Sequence, residues 1–300
     1  MLDEPAQSGG FVVRDAGPGD VGKVFEIYSH ALGALDEADY EWFKALIRTK
    51  SRKKRVAVVE FSGDVVGFAV VYKQGRIAFL DSIAVDEGVR GRGVGGLLLN
   101  TIENLLRREG VEVVTLSVKN WNLRALDFYL RRGYVIRGMV MILSADPCKL
   151  DPPHSEDHYI VEEIPAGRLK RLRLRPTTWW SNLIEDVHRV IYKRYLRGER
   201  AIVIKSGRRV RGVAEFSRNG RVFVNYVALS SYNATKVLTE IVHKLKAAAI
   251  KEKLKEIVIP VDASKRVLVS ELIAMSFHTR ETEYLLTKDL SNCDAYEVEE

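Results

Sequence analysis

Cysteine is nearly absent from this 300-residue chain: Cys148 and Cys293 lie far apart, in no metal or redox spacing. That excludes a disulfide framework and predicts a reducing, cytoplasmic setting. Long apolar runs are missing too. Gly63 and Asp64 interrupt the richest stretch, so no membrane span is expected, and the first ten residues lack the basic start and apolar block of a secretory signal. Clustered metal ligands are equally scarce. His154-Ser155-Glu156-Asp157-His158 is the nearest candidate, but it follows Pro152 and Pro153 with no apolar helix around it, and no metal is expected.

What is present is a globular balance, 46% hydrophobic and 29% charged residues, with a formal net charge of +7. The length exceeds one ordinary core and implies two domains. Proline and charge concentrate near residue 150, so a first domain is expected over 11–147, a linker over 148–158 and a second domain over 159–292.

One stretch organises the rest. Residues 80–85 read as an apolar strand running into a glycine- and arginine-rich turn, after which Val94, Leu98, Ile102 and Leu105 recur on one helix face. The first turn of a helix leaves backbone N–H groups unpaired at the positive end of the macrodipole, which suits an anion. Gly91, Gly93 and Gly95 let a diphosphate approach without a Cβ in the way, and Arg90 and Arg92 add charge-assisted bonds. No Gly-Lys-Ser/Thr follows, so the turn is not a P-loop, and the third glycine of a dinucleotide fingerprint is missing. A phosphate-bearing ligand is predicted.

Arg90-x-x-Gly93-x-Gly95, directly after Ser82-Ile83-Ala84-Val85, resembles the acetyl-CoA motif of the GCN5-related N-acetyltransferases, the GNAT superfamily. The second half of that family's pattern also has a counterpart: an apolar strand over 113–118, then Asn122-x-x-Ala125-x-x-x-Tyr129-x-x-x-Gly133-Tyr134. The resemblance runs over about residues 11–145. It implies an α/β fold with a mixed sheet, acetyl-CoA as co-substrate and an amine acceptor, whether a protein N-terminus, a lysine or a small amine. It also implies site residues. Backbone groups of Ile83 and Val85 would meet the pantetheine arm and polarise the thioester carbonyl. Arg90, Gly91, Arg92, Gly93, Val94, Gly95 and Gly96 would hold the diphosphate, Asn122 and Ala125 would border the coenzyme, and Tyr129 would be the general acid for the departing thiolate.

Where relatives of this type often carry a glutamate base before the asparagine, this chain has Ser117. Asp81 is the candidate replacement, because period-two alternation puts it on the face of Ile83 and Val85. A water held by Ser82 or Ser117 is the alternative relay.

The expected element order is a strand over 11–14, a helix capped by Asp20 with Val21, Val24, Phe25 and Tyr28 on one face, and a helix over 37–49. Strands follow over 56–60, 65–72 and 77–85, then a helix, the strand over 113–118, a helix and a closing strand over 138–144. The loop over 31–36 is where the resembling family shapes its acceptor pocket. Here Asp36, Glu37 and Asp39 offer carboxylates to an amine.

The second half repeats the first. A constant offset of 143 residues carries Val85, Val94, Leu98, Ile102, Val118 and Tyr134 to Ala228, Val237, Ile241, Leu245, Val261 and Phe277. The same offset turns Arg90, Gly93 and Gly95 into Asn233, Lys236 and Leu238, and Asn122, Tyr129 and Gly133 into Lys265, Leu272 and Ser276. Two tandem acyl-CoA N-acyltransferase-like domains are therefore expected, with one active site and a degenerate second copy. Residues 165–211 hold fourteen Lys/Arg against three Asp/Glu, with Trp179 and Trp180 among them. Such a stretch can dock nucleic acid or a ribosome. Beside the acetyltransferase stand two other readings, a catalytically silent CoA-binding sensor and an adaptor working through that basic stretch.

Overall fold

The computed structural model describes residues 6–31, 40–49, 51–153, 158–165, 168, 175–176, 200–231 and 234–291. The chain forms two compact units. Described residues of the first fall within 1–136 and 286–300, those of the second within 137–185 and 192–285. Asp36, Glu37 and Asp39, His154, Trp179 and Trp180, Asn233 and most of the basic stretch lie outside the described residues. Among those described, no helix is long and apolar enough to cross a membrane.

The first unit opens with β1 (Ala6–Ser8) and β2 (Phe11–Asp15), followed by α1 (Val21–His30) and α2 (Tyr40–Arg48). A meander of β-branched strands comes next, β3 (Lys54–Phe61), β4 (Asp64–Gln74) and β5 (Ile77–Val85). Then follow α3 (Val94–Arg108), β6 (Val113–Lys119) and α4 (Leu123–Leu130). β1 to β5 pair antiparallel in chain order, whereas β5 and β6 run parallel. α1 and α2 bury Val24, Ile27, Tyr28, Phe43 and Leu46, and Phe43 stands edge-on to Phe68 of β4. Asp20 does not cap α1 with its side chain. Its carboxylate instead accepts from the Gly17 N–H at 2.6 Å and from Arg14 at 2.7 Å, and Arg14 holds it below the usual carboxylate range.

The second unit takes β7 (Val135–Ala145) from Arg137 onward, then β8 (Ile160–Pro165), β9 (Arg175–Pro176), β10 (Arg200–Ser206), β11 (Arg209–Asn219) and β12 (Arg221–Leu229). α5 (Thr235–Lys251), β13 (Ile257–Asp262), α6 (Arg266–Ala274) and β14 (His278–Asp289) complete the chain. One buried cluster joins Leu143 and Ala145 of β7 to Ile202, Phe216, Val224, Ile241, Leu245, Ile259 and Leu272. Arg200 and Lys205 of the basic stretch are already paired with Glu163 and Glu162.

The units depart from a linear division at 147 and 159. The strand expected to close the first domain instead bonds antiparallel to β13, with Ala145 opposite Ile257 and Val140 opposite Asp262. The neighbour of β6 is β14, whose residues from Leu286 onward belong to the first unit. There the Leu290 N–H donates to Glu112 O at 2.6 Å and Arg107 Nε to Leu290 O at 3.1 Å. An apolar strand satisfies its backbone at any free edge, so its composition does not name its partner.

Backbone conformation carries the internal repeat more faithfully than residue identity does. Left-handed φ recurs at Gly75 and Gly220, at Gly110 and Lys253, and at Gly133 and Ser276. The two strand pairs share a bulge as well: Val70 faces Ser82 and Val71 faces Leu80, while Glu215 faces Tyr226 and Phe216 faces Val224. Asp81 and Asn225 are the extra residues. Buried Val94, Leu98, Leu99, Ile102 and Leu106 of α3 match buried Val237, Ile241, Val242, Leu245 and Ala249 of α5.

Ser276, at φ 73, holds a conformation that costs an L-residue about 1–2 kcal/mol. Ser276→Gly is therefore expected to stabilise the chain by about 1 kcal/mol, seen as a higher urea midpoint at unchanged slope. A midpoint that stays or falls would contradict the strain.

Candidate active site

The parallel pairing of β5 with β6 covers only Ile77 with Val113, Ala78 with Val114 and Phe79 with Thr115. Beyond those residues the strands part. The Asp86 N–H donates to Val66 O at 2.9 Å, which sets the phase of the β4–β5 ladder. Because bonded and non-bonded pairs alternate, the N–H and C=O groups of Ile83 and Val85 point away from β4, into the space β6 has left. Asp81 sits at the bulge, half-buried like Ile83 and Val85, and its Oδ2 accepts from Ser82 Oγ at 2.8 Å. The expected alternation holds on the Val85 side of the bulge. Ser117, half-buried on β6, brings no carboxylate.

The glycine turn has the backbone its sequence demands. Gly91 and Gly93 adopt φ 81 and 79, and a Cβ at either would meet nothing within 4 Å. Both need glycine for conformation, and both border open space. Gly93 caps α3 and has no side chain to bond to the helix, so the capping residue itself takes up none of the amides of Val94, Gly95 and Gly96. Gly95 and Gly96 have a packing reason of their own. A Cβ on Gly95 would lie 3.5 Å from the Phe128 ring and 3.8 Å from Val85 Cγ2, and one on Gly96 2.8 Å from the Arg132 guanidinium. The end of β5, the start of α3 and the inner face of α4 thus converge.

Arg90 differs from its expected role. Nε donates to Val85 O at 3.0 Å and Nη1 pairs with Glu87 at 2.7 Å, so Arg90 braces the turn and takes up the Val85 carbonyl. Arg92 is exposed in the same turn. Asn122 caps α4, its Oδ1 accepting from the Ala125 N–H at 3.1 Å, which accounts for the Asn-x-x-Ala spacing. Tyr129 is buried on α4, edge-on to Phe128 and Tyr134, and burial raises its hydroxyl well above the ordinary tyrosine range. Asp81 lies about four strand residues, roughly 13 Å, from Val85.

Arg132 escaped the sequence reading. Its guanidinium lies 3.8 Å above the Phe128 ring and donates to Phe128 O at 2.9 Å, beside the first turn of α3. Glu103 and Lys288 were missed too, and Tyr134 was read only as a motif and repeat position; the one sequence signal for Glu103 was a glutamate interrupting the apolar face of α3. In the second unit the described residues do not form the seat. Ala234 caps α5 at φ −80, and the residue matching Gly95 is the buried Leu238.

Comparison with known proteins agrees with this geometry. Residues 23–134 match the Acetyltransferase (GNAT) family. An uncharacterized N-acetyltransferase of Methanocaldococcus jannaschii is 26% identical over 151 residues, 44% of this chain and 66% of the relative's length. An L-methionine sulfoximine/L-methionine sulfone acetyltransferase of Pseudomonas paraeruginosa is 25% identical over 143 residues, 43% of this chain and 82% of that protein. Among solved structures, a tandem GNAT protein from the clavulanic acid biosynthesis pathway superposes with a TM-score of 0.72 at 14% identity, covering 95% of this chain and all of that one. A GCN5-related N-acetyltransferase from Sphaerobacter thermophilus gives 0.66 at 14% identity, covering 97% of this chain and 99% of that one. Residues 23–134 thus match the GNAT family, and along almost its whole length the chain shares the fold of a tandem GNAT protein.

Proposed function

We propose that the first domain transfers the acetyl group of acetyl-CoA to a primary amine. The parting of β5 and β6 beside an α3 that begins on two left-handed glycines carries this reading. The residues present fit the coenzyme: open space at Gly91 and Gly93, first-turn amides without a side-chain cap, and strand amides turned into the opening. Bound acetyl-CoA supplies a thioester whose C–S bond breaks as the amine nitrogen bonds to the acetyl carbon.

The chain's own groups do the rest. Amides of Val94, Gly95 and Gly96 and the Arg92 guanidinium hold the diphosphate. The Ile83 N–H stabilises charge on the carbonyl oxygen at no reorganisation cost. Tyr129 gives its proton to the departing sulfur; burial keeps it protonated, and the same dry surroundings raise the proton affinity of the thiolate it meets. Asp81, or a water held by Ser82 or Ser117, takes the proton that the amine loses.

The acceptor class draws support from relatives. One is the sulfoximine and sulfone acetyltransferase, and another is a thialysine N-epsilon-acetyltransferase from Bos taurus, 31% identical over 74 residues. Both names denote amino-acid-like acceptors. Two cysteines in 300 residues fit a reducing compartment, and we assign the reaction to the cytoplasm.

A calorimetric titration with acetyl-CoA should find one site per chain, and a panel of peptides, amino acids and polyamines should include an amine that provokes thiol release. No heat, or two sites per chain, would refute the scheme. Binding without release on any amine would favour the silent sensor, a reading that Ser117 in place of a base supports.

A further inference from the structure

We propose that Lys288, near the end of the chain, is a positioning residue for Tyr129, acting through Glu103 and Tyr134. The inference rests on the acid role given to Tyr129 above. Lys288 Nζ donates to Glu103 Oε2 at 2.5 Å, and the Tyr134 hydroxyl donates to Glu103 Oε1 at 2.9 Å. The Glu103 side chain is only 4% exposed, so both its oxygens are committed and neither looks to water. Lys288 also lies 5.6 Å from the centre of the Tyr134 ring, and Tyr134 itself is 1% exposed. Its ring is thereby fixed at the edge, by the hydroxyl, and at the face, by the ammonium group.

Tyr129 rests on that ring, with centroids 5.3 Å apart and planes at 68°. The backbone repeats the connection, as the Tyr134 N–H donates to Tyr129 O at 3.2 Å across the left-handed Gly133. A phenol in a dry cleft delivers its proton only along a defined direction, and displacement of the order of 1 Å costs rates of up to about a hundredfold. Removing the ammonium group leaves a buried carboxylate uncompensated, which pulls on Tyr134 and, through it, on the ring that must face the sulfur. All four residues lie within the first unit, although Lys288 is encoded 154 positions after Tyr134.

The test follows amine-dependent thiol release and acetyl-CoA affinity in the full-length chain. Lys288→Met should lower kcat about tenfold with coenzyme affinity within twofold of native, and Lys288→Arg should restore it. Glu103→Gln combined with Lys288→Met removes both charges yet keeps an acceptor for the Tyr134 hydroxyl. That double variant should recover activity, which separates positioning from a failure to fold. In a Tyr129→Phe background Lys288→Met should cause no further loss, because the acid it positions is gone. An equal tenfold loss in that background, or coenzyme affinity falling with kcat in Lys288→Met, would overturn the inference and leave the acid role standing. Full activity of Tyr129→Phe alone would overturn both.

Discussion

A chain ending at Leu285 is expected to lose its first domain, and with it all coenzyme binding. The missing residues carry Leu286 and Leu290, both fully buried, together with the bond from the Leu290 N–H to Glu112 O and the bond that Arg107 gives to Leu290 O. Each leucine contributes on the order of 2 kcal/mol by burial. Losing Lys288 strands Glu103 in the interior, and breaking a buried pair in this way costs about 3–5 kcal/mol. β6 would also be left without the strand beside it. Together these losses are comparable to the roughly 5–15 kcal/mol that holds a whole domain. Calorimetry should show no acetyl-CoA binding and thermal unfolding should lose a transition. A truncated chain that still bound coenzyme at native affinity would show that the last strand is an accessory.

Gly93→Val should lower coenzyme affinity about a hundredfold, or roughly 2.7 kcal/mol. Two effects add. At φ 79 a β-branched side chain is strained, so the turn relaxes away from the geometry that aims the first amides of α3 outward. Wherever it settles, the new side chain occupies space that is open around Gly93 and that a diphosphate needs. Because a Cβ there meets no protein atom within 4 Å, melting should change far less than binding. An affinity unchanged by this substitution would mean that the ligand sits elsewhere. Ala234→Gly in the second domain is the matching control, and it should create no site, since Leu238 stays in the way.

How much of this was legible in the sequence divides along physical lines. The seat was legible because it is local: Gly91 and Gly93 are adjacent to the helix they start, and their left-handed backbone is a property of single residues. The repeat was legible from helix periodicity, since α3 and α5 bury matching positions. The exchange of strands was not. β7 has an apolar pattern that any free edge accepts, and nothing within it distinguishes β13 from β6 as a partner. The bulge at Asp81 was hidden for a related reason, as two-residue alternation assumes an unbroken ladder. The role of Glu103 was hidden because its partners Lys288 and Tyr134 lie 185 and 31 positions away in the sequence. Tyr129, by contrast, sits on α4 as its spacing from Asn122 suggested, but its burial came only with the fold.

Synthesis on the ribosome runs in one direction, and the strand order sets a timetable for it. The first domain lacks the segment from Leu286 until nearly the whole second domain has been translated. At about 5–20 residues per second, the roughly 150 intervening residues keep it waiting on the order of 10–30 s. Throughout that interval β6 presents an open edge and Glu103 has no counter-ion, so the nascent chain is a natural client for chaperones. The proposed coenzyme seat, complete in sequence by residue 96, therefore waits for codons 286–291 before the domain around it can close.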